Sequence, residues 1–337
     1  MALPRKPNYL DILRLVATYG VILLHFCARP WENMGPEQPQ WLFFHLLDSA
    51  VRWAVPVFVM ISGALFLNPA KEISFTLILR KYILRVVTAF AFWSAIYTLI
   101  EWGRGTPLSQ LPLTFIKGEY HMWFLFLIIG LYLFVPLLRR ITRTKKGTQW
   151  FLAVGGVLFF VLPRTVHLLS LLGVEVPFQG LILQAMNVNV VSVCYLFVFV
   201  LGHYLEQYAL PVATRVIIYV LGLLGFGATV GLTLWHSFIL DAPSGAFYVY
   251  MSLNVMAMAV AVFVAAQYGF RGQSRVITAY SSYSFGAYLS HVLFVDLFAR
   301  IGITPVTVLP GSIITFILAM ALSALLHYVP VIKKYIV

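Results

Sequence analysis

Charge is what this sequence has least of. Asp, Glu, Lys and Arg together make up 10% of its 337 residues, against about 25% in an ordinary soluble domain. So few charges do not cover a water-soluble body of this size, which excludes a soluble enzyme. Cysteine is almost missing as well. Two residues, Cys27 and Cys194, exclude a disulfide scaffold and read as free thiols packed as small apolar groups. With 23 Gly and 17 Pro the chain is not collagen-like, and no internal repeat or low-complexity tract is present. No pair of His, Cys or carboxylate residues has zinc spacing such as HExxH, and phosphate-loop and dinucleotide glycine patterns are absent.

What is there is apolar. Hydrophobic residues reach 61%, in long runs without charge: eighteen residues between Arg52 and Lys71, nineteen between Glu119 and Arg139, thirty between Glu175 and Glu206, and thirty-two between Arg300 and Lys333. About 20 such residues cross the hydrocarbon core of a bilayer, and with no water to satisfy the backbone they must do so as helices. The pattern predicts an all-α, polytopic membrane bundle, one domain over 1–337. Ten spans are expected, near 9–27, 42–67, 75–100, 121–138, 148–167, 184–205, 212–235, 246–267, 277–299 and 308–329. No cleavable signal peptide is expected, because Asp11 and Arg14 interrupt the first apolar segment and no small-residue cleavage site follows.

The basic residues give an orientation. With both termini cytoplasmic, seventeen of the 23 Lys and Arg fall at cytoplasmic ends and six at outer ends, as the positive-inside rule asks. The net charge of +12 is thereby explained by topology, and nucleic acid is not an expected partner.

Ionisable groups inside spans are costly and mark candidate sites. Asp11 and Arg14 are three residues apart and can pair on one face. Arg14 and His25 are eleven apart, which at 3.6 residues per turn returns to within about 20° of that face, about 16–17 Å further along the axis. One stripe of the first helix therefore carries a cation near the cytoplasm and an imidazole near the outside. The alternative is that Arg14 snorkels to water and His25 is a satisfied interfacial histidine. Cys27 points away from His25, which argues against a Cys–His nucleophile. His121 follows Glu119 and precedes Trp123, itself suited to an interfacial belt. With His45 and Asp48 it can share an outer vestibule with His25. His291 falls near mid-membrane, where a hydrogen-bonded structural role competes with chemistry. His167, His203, His236 and His327 lie near span ends and read as interfacial.

The run Tyr9-Leu10-Asp11-Ile12-Leu13-Arg14, ending at His25, resembles the first-helix signature of the acyltransferase-3 family: a basic residue, ten others, then His. Three further stretches resemble that family in order: Val55-Pro56-Val57-Phe58 through Ser62-Gly63; His121-Met122-Trp123-Phe124-Leu125 through Pro136; and Ser284-Phe285-Gly286-Ala287-Tyr288-Leu289-Ser290-His291. The branch most similar is that of bacterial surface-polysaccharide O-acetyltransferases, in the inner membrane. One departure is visible. The family often has R-x-x-R at the start of its third helix, where this chain has Arg80, Lys81 and Arg85, of which Lys81 and Arg85 share an α-helical face.

The resemblance implies transfer of an acyl group, acetyl by preference, from cytoplasmic acyl-CoA to a hydroxyl of a glycan. It implies no permanently bound cofactor or metal, acetyl-CoA being a substrate. His25, Asp11 and His121 are the expected catalytic residues, with His25 as general base or as acyl carrier. Arg14, Arg80, Lys81 and Arg85 are expected to bind the donor's phosphates, and Trp123, Glu119 and His291 the acceptor. A secondary transporter of a glycan or lipid intermediate is the alternative reading, although no repeat symmetry supports it.

Overall fold

The computed structural model describes residues 8–175, 177, 180 and 191–336. Arg5, Lys6 and residues 184–190 of the expected sixth span lie outside the described residues. All regular structure among the described residues is helical. The elements are α1 Tyr9–Glu32, α2 Pro39–Val51, α3 Ala54–Phe66, α4 Phe75–Gly103, α5 Leu111–Lys117, α6 Trp123–Ile141, α7 Lys145–Leu171, α8 Val191–Gln207, α9 Val212–Leu240, α10 Leu253–Gly269, α11 Arg275–Ile301, α12 Val308–Leu326 and α13 Pro330–Tyr335. Among the described residues, eight helical stretches are long and apolar enough to cross a membrane, α2 with α3 and α5 with α6 each counting as one. The chain is a polytopic, all-α membrane protein.

α1 is the central post. It packs against α2, α3, α10, α11 and α12, and its interior face (Leu13, Ala17, Val21, Leu24) is buried. α3 and α8 meet backbone to backbone. A Cβ at Gly63 would stand 1.7 Å from the Phe199 carbonyl oxygen, and one at Gly202 would stand 2.1 Å from that of Met60. Small residues at such crossings replace the hydrophobic drive that lipid removes.

Three departures from the expected spans have local causes. The second span is broken at Arg52 and Trp53, where α2 ends and α3 begins. Arg52, expected at an outer end, instead turns inward to Asp48, with which it forms an ion pair, and lies 3.9 Å over the ring of Tyr248. The eighth span starts at Leu253 rather than at 246. Asp241 caps α9 in the left-handed region (φ 50°), the Ser244 N–H donates to Ser237 Oγ at 3.0 Å, and Asn254 Nδ2 donates to the Phe247 carbonyl at 2.8 Å. The apolar residues Phe247, Tyr248 and Met251 are therefore buried as a loop, which hydropathy alone reads as helix. Finally, α4 carries a π-helical stretch over Ile78–Ile83, and its i→i+5 bonding shifts the faces that α-helical spacing predicts.

Candidate active site

A cavity of about 760 Å³ opens between α1, α3, α4, α6, α11 and α12, a size that holds a drug-sized ligand. At one end stand Arg14, Arg85 and Lys333. Arg14 is held from two sides. Its Nη1 donates to Ser281 Oγ at 2.8 Å and lies 3.3 Å from Asp11 Oδ1, while the Thr278 hydroxyl donates to Asp11 Oδ2 at 2.9 Å. This three-residue approach on α1 was legible in the sequence, and the partners from α11 were not. Arg85 lies 5.5 Å from the ring centre of Phe285. Arg80 and Lys81 are exposed and are not in the cavity wall. Across the π-helical stretch Tyr82 and Arg85 turn inward, so the shared face expected of Lys81 and Arg85 does not form.

The walls are aromatic. Phe66 stacks on Tyr132 at 4.2 Å between ring centres and meets Tyr82 edge-on at 4.7 Å. All three line the cavity, as do Phe58, Phe124 and Tyr288.

Beyond Tyr288 three imidazoles gather. His25 stacks on His291 with centroids 5.3 Å apart, and His291 meets His121 edge-on at 5.0 Å. The order is imposed by backbone. Tyr288 Oη donates to the His121 carbonyl. The Nδ1–H of His291 donates to the Tyr288 carbonyl at 2.5 Å, which leaves Nε2 of His291 buried with no hydrogen-bond partner among the described residues. Gly118 makes the approach of His121 possible: its φ of 66° turns the chain after α5, and a Cβ there would stand 2.7 Å from the Phe90 ring. His121 and His291 are buried, whereas His25 keeps part of its surface accessible. Of the three imidazoles, His25 is thus the one that is not fully enclosed. The rings meet face to face or edge to face rather than with lone pairs converging, and no group of three His, Cys, Asp or Glu among the described residues could hold a metal ion.

Asp11 belongs to the other end. Fourteen residues from His25 on one helix put it about 21 Å away along the axis, so its contact is with Arg14 and not with the imidazoles. His45 and Asp48 also fall outside the cluster. His45 Nδ1 meets Tyr248 Oη at 2.5 Å, and Asp48 pairs with Arg52. The vestibule expected of His45, Asp48, His121 and His25 is therefore replaced by His25, His121 and His291. His203, expected at an interface, is buried.

Above His25 lies Tyr120, ring centre 5.1 Å away. Around it Asp296 bridges two cations, at 2.6 Å to Arg29 and 2.9 Å to Arg104, and Arg104 reaches Glu101 at 2.6 Å. Hydrogen bonds to Asp296 and Glu101 raise the Arg104 guanidinium above its ordinary pKa. Trp123 is 40% exposed and lies nearly parallel to Tyr250, 6.0 Å away. Glu119 stands at the start of the short helical turn that delivers His121, its carbonyl accepting from the Met122 N–H at 2.8 Å.

Residues 8–328 match a known family described as an acyltransferase domain. The chain belongs to the acyltransferase-3 family. No curated protein and no solved structure gives a significant match. Family membership makes the chain a membrane acyltransferase, and the acyltransferase-3 match takes in all three imidazoles, both Arg14 and Arg85, and every cavity-lining residue except Lys333.

Proposed function

We propose that this acyltransferase-3 protein moves an acyl group, acetyl by preference, from cytoplasmic acyl-CoA to a hydroxyl of a cell-surface or lipid-linked glycan, in a bacterial inner membrane. The observation that carries the reading is the cavity. It has cations at one end, aromatic and aliphatic walls between, and Tyr288 at the other end in contact with the imidazole cluster. An acyl-CoA has the same distribution: phosphates at the nucleotide end, a long thin arm, and a thioester at the tip.

Arg14 and Arg85 hold phosphate by charge-assisted hydrogen bonds. Asp11 and Ser281 position Arg14, so Asp11 acts through the guanidinium and not on the reacting atoms. The arm passes the Phe66–Tyr82–Tyr132 wall and brings the thioester past Tyr288 towards His25. In the direct route His25 takes the acceptor hydroxyl's proton as the oxygen attacks the thioester carbonyl. The new C–O bond forms, the C–S bond breaks, and the proton passes from His25 to the departing sulfur. In the covalent route a neutral His25 nitrogen attacks the thioester carbonyl, the C–N bond forming as the C–S bond breaks and CoA leaves as its thiolate. The glycan hydroxyl then attacks the acyl-imidazole, the C–O bond forming as the C–N bond breaks. The hydroxyl proton passes to the thiolate and the neutral imidazole is restored. Both need a neutral imidazole at the start. His121 and His291 fix the plane of the cluster, and Trp123 with Glu119 offers an aromatic face and a carboxylate to the acceptor.

The test is calorimetric binding of acetyl-CoA to the purified protein in detergent, with Arg14→Ala as comparison. Saturable binding that the substitution weakens supports the donor assignment. A folded protein that binds no acetyl-CoA would remove it and favour a transporter.

A further inference from the structure

Lys333 is the third cation of the cavity, and it comes from a part of the chain whose basic residues orientation alone would explain. It sits on α13, and it lines the same cavity as Arg14 and Arg85. Its neighbour Lys334 does not line the cavity. The Lys334 ammonium instead stands 4.8 Å from the ring centre of Tyr335.

The segment that carries Lys333 is strapped back across the cavity. α13 packs against α4, and the Thr88 hydroxyl of α4 donates to the Tyr335 carbonyl at 2.6 Å. Between α12 and α13, His327 and Tyr328 join the cavity wall. The His327 ring is fixed by an Nδ1 contact of 2.8 Å to the Ser323 carbonyl and by an edge-on contact of 4.8 Å with Tyr283. Three separate elements (α1, α4 and this strap) thus each bring one cation to one cavity. A lysine that only marks the membrane side needs neither a tether to α4 nor a place in a cavity wall.

We propose that Lys333 is a donor-recognition residue, carried on the strap 327–335, that grips a phosphate at the nucleotide end of the acyl donor. This rests on the acyl-CoA reading above. An ammonium is a compact charge with three donors, able to meet a phosphate without the fixed fork geometry of arginine. The grip acts on the nucleotide end alone, since the pantetheine arm that reaches towards Tyr288 carries no phosphate in acetyl-pantetheine. A lipid headgroup phosphate would satisfy the same ammonium, so the experiment separates the two sources.

The dissociation constants of acetyl-CoA and acetyl-pantetheine are measured for the full chain in a sugar-headgroup detergent, which contains no phosphate. Lys333→Met should weaken acetyl-CoA by about three- to tenfold, the size of one exposed charge-assisted contact. It should leave acetyl-pantetheine unchanged. Lys333→Arg should restore most of the loss, and Lys334→Met should bind both compounds as the parent does. Thermal melting of each variant confirms that it is folded. Unchanged acetyl-CoA affinity in Lys333→Met overturns the proposal and leaves lipid phosphate as the ammonium's partner. Equal losses in Lys333→Met and Lys334→Met overturn it in favour of diffuse charge. A parent protein that binds neither compound overturns the donor reading itself, whereas parent binding without a Lys333 effect overturns only the strap's role.

Discussion

His25 and His291 stack ring on ring, with centroids 5.3 Å apart and planes 28° from parallel, and only His25 keeps surface through which a substrate can approach. The two imidazoles therefore have unequal tasks. His25→Ala should abolish acyl transfer while leaving acetyl-CoA affinity within about twofold, because Arg14, the cation proposed to hold the donor's phosphate on the same helix, lies some 16–17 Å along its axis. His291→Ala should lower kcat by about ten- to a hundredfold and leave the donor KM unchanged, as expected for a residue that holds the base in place. Steady-state kinetics with a glycan acceptor decides this. Full activity in His25→Ala would sink the catalytic assignment.

Tyr288 stands between the cavity and the imidazoles, and its hydroxyl ties it to the His121 carbonyl. Tyr288→Phe keeps the ring and removes that bond, a net loss of about 0.5–1.5 kcal/mol. The expected result is a kcat reduced several-fold with acetyl-CoA affinity intact. A variant that loses affinity and keeps kcat would mean that Tyr288 serves only as cavity wall.

How far the sequence alone could reach is clear from particular residues. Arg14 and His25 lie on one helix, where a fixed angle per residue relates them, and the pairing of Asp11 with Arg14 is likewise local. The stacking of His25 on His291 joins α1 to α11, and no periodicity within one helix contains it. The shared face of Lys81 and Arg85 follows from α-helical spacing, which does not hold across the π-helical stretch Ile78–Ile83, and Arg80 and Lys81, expected from the resemblance, are exposed. Residues 246–252 of the loop 241–252 read as span because their aromatic residues are as apolar as a helix core, while what holds them as a loop is a set of side-chain hydrogen bonds.

Gly63 and Gly202 let α3 and α8 touch through their backbones. Gly202→Val would place a branched side chain where Cβ alone meets the Met60 carbonyl at 2.1 Å, forcing the helices apart. Overpacking of this kind costs about 1–3 kcal/mol or more, so a marked fall in melting temperature and in folded yield is expected. Gly130→Ala is the comparison, since nothing lies within 4 Å of its Cβ position. It should be neutral or stabilising, by up to about 1 kcal/mol of helix propensity. Equal melting of the two variants would refute the close crossing.

Asp48 and Arg52 form an ion pair inside the bundle, where the broken second span turns. Removing one partner leaves a buried charge uncompensated, at about 3–5 kcal/mol. Asp48→Asn and Arg52→Met should each destabilise strongly when measured alone. Combining them removes both charges, so the double variant should melt above at least one of the singles, whereas additive losses would mean that the two residues act independently. The pair has a further consequence for the second span. With the guanidinium lying over Tyr248 and the carboxylate buried, the break between α2 and α3 is locked to the loop 241–252. Arg52→Met should therefore increase proteolytic cleavage within that loop as well as lowering stability, and a loop no more sensitive than in the parent would show that the lock does not depend on Arg52.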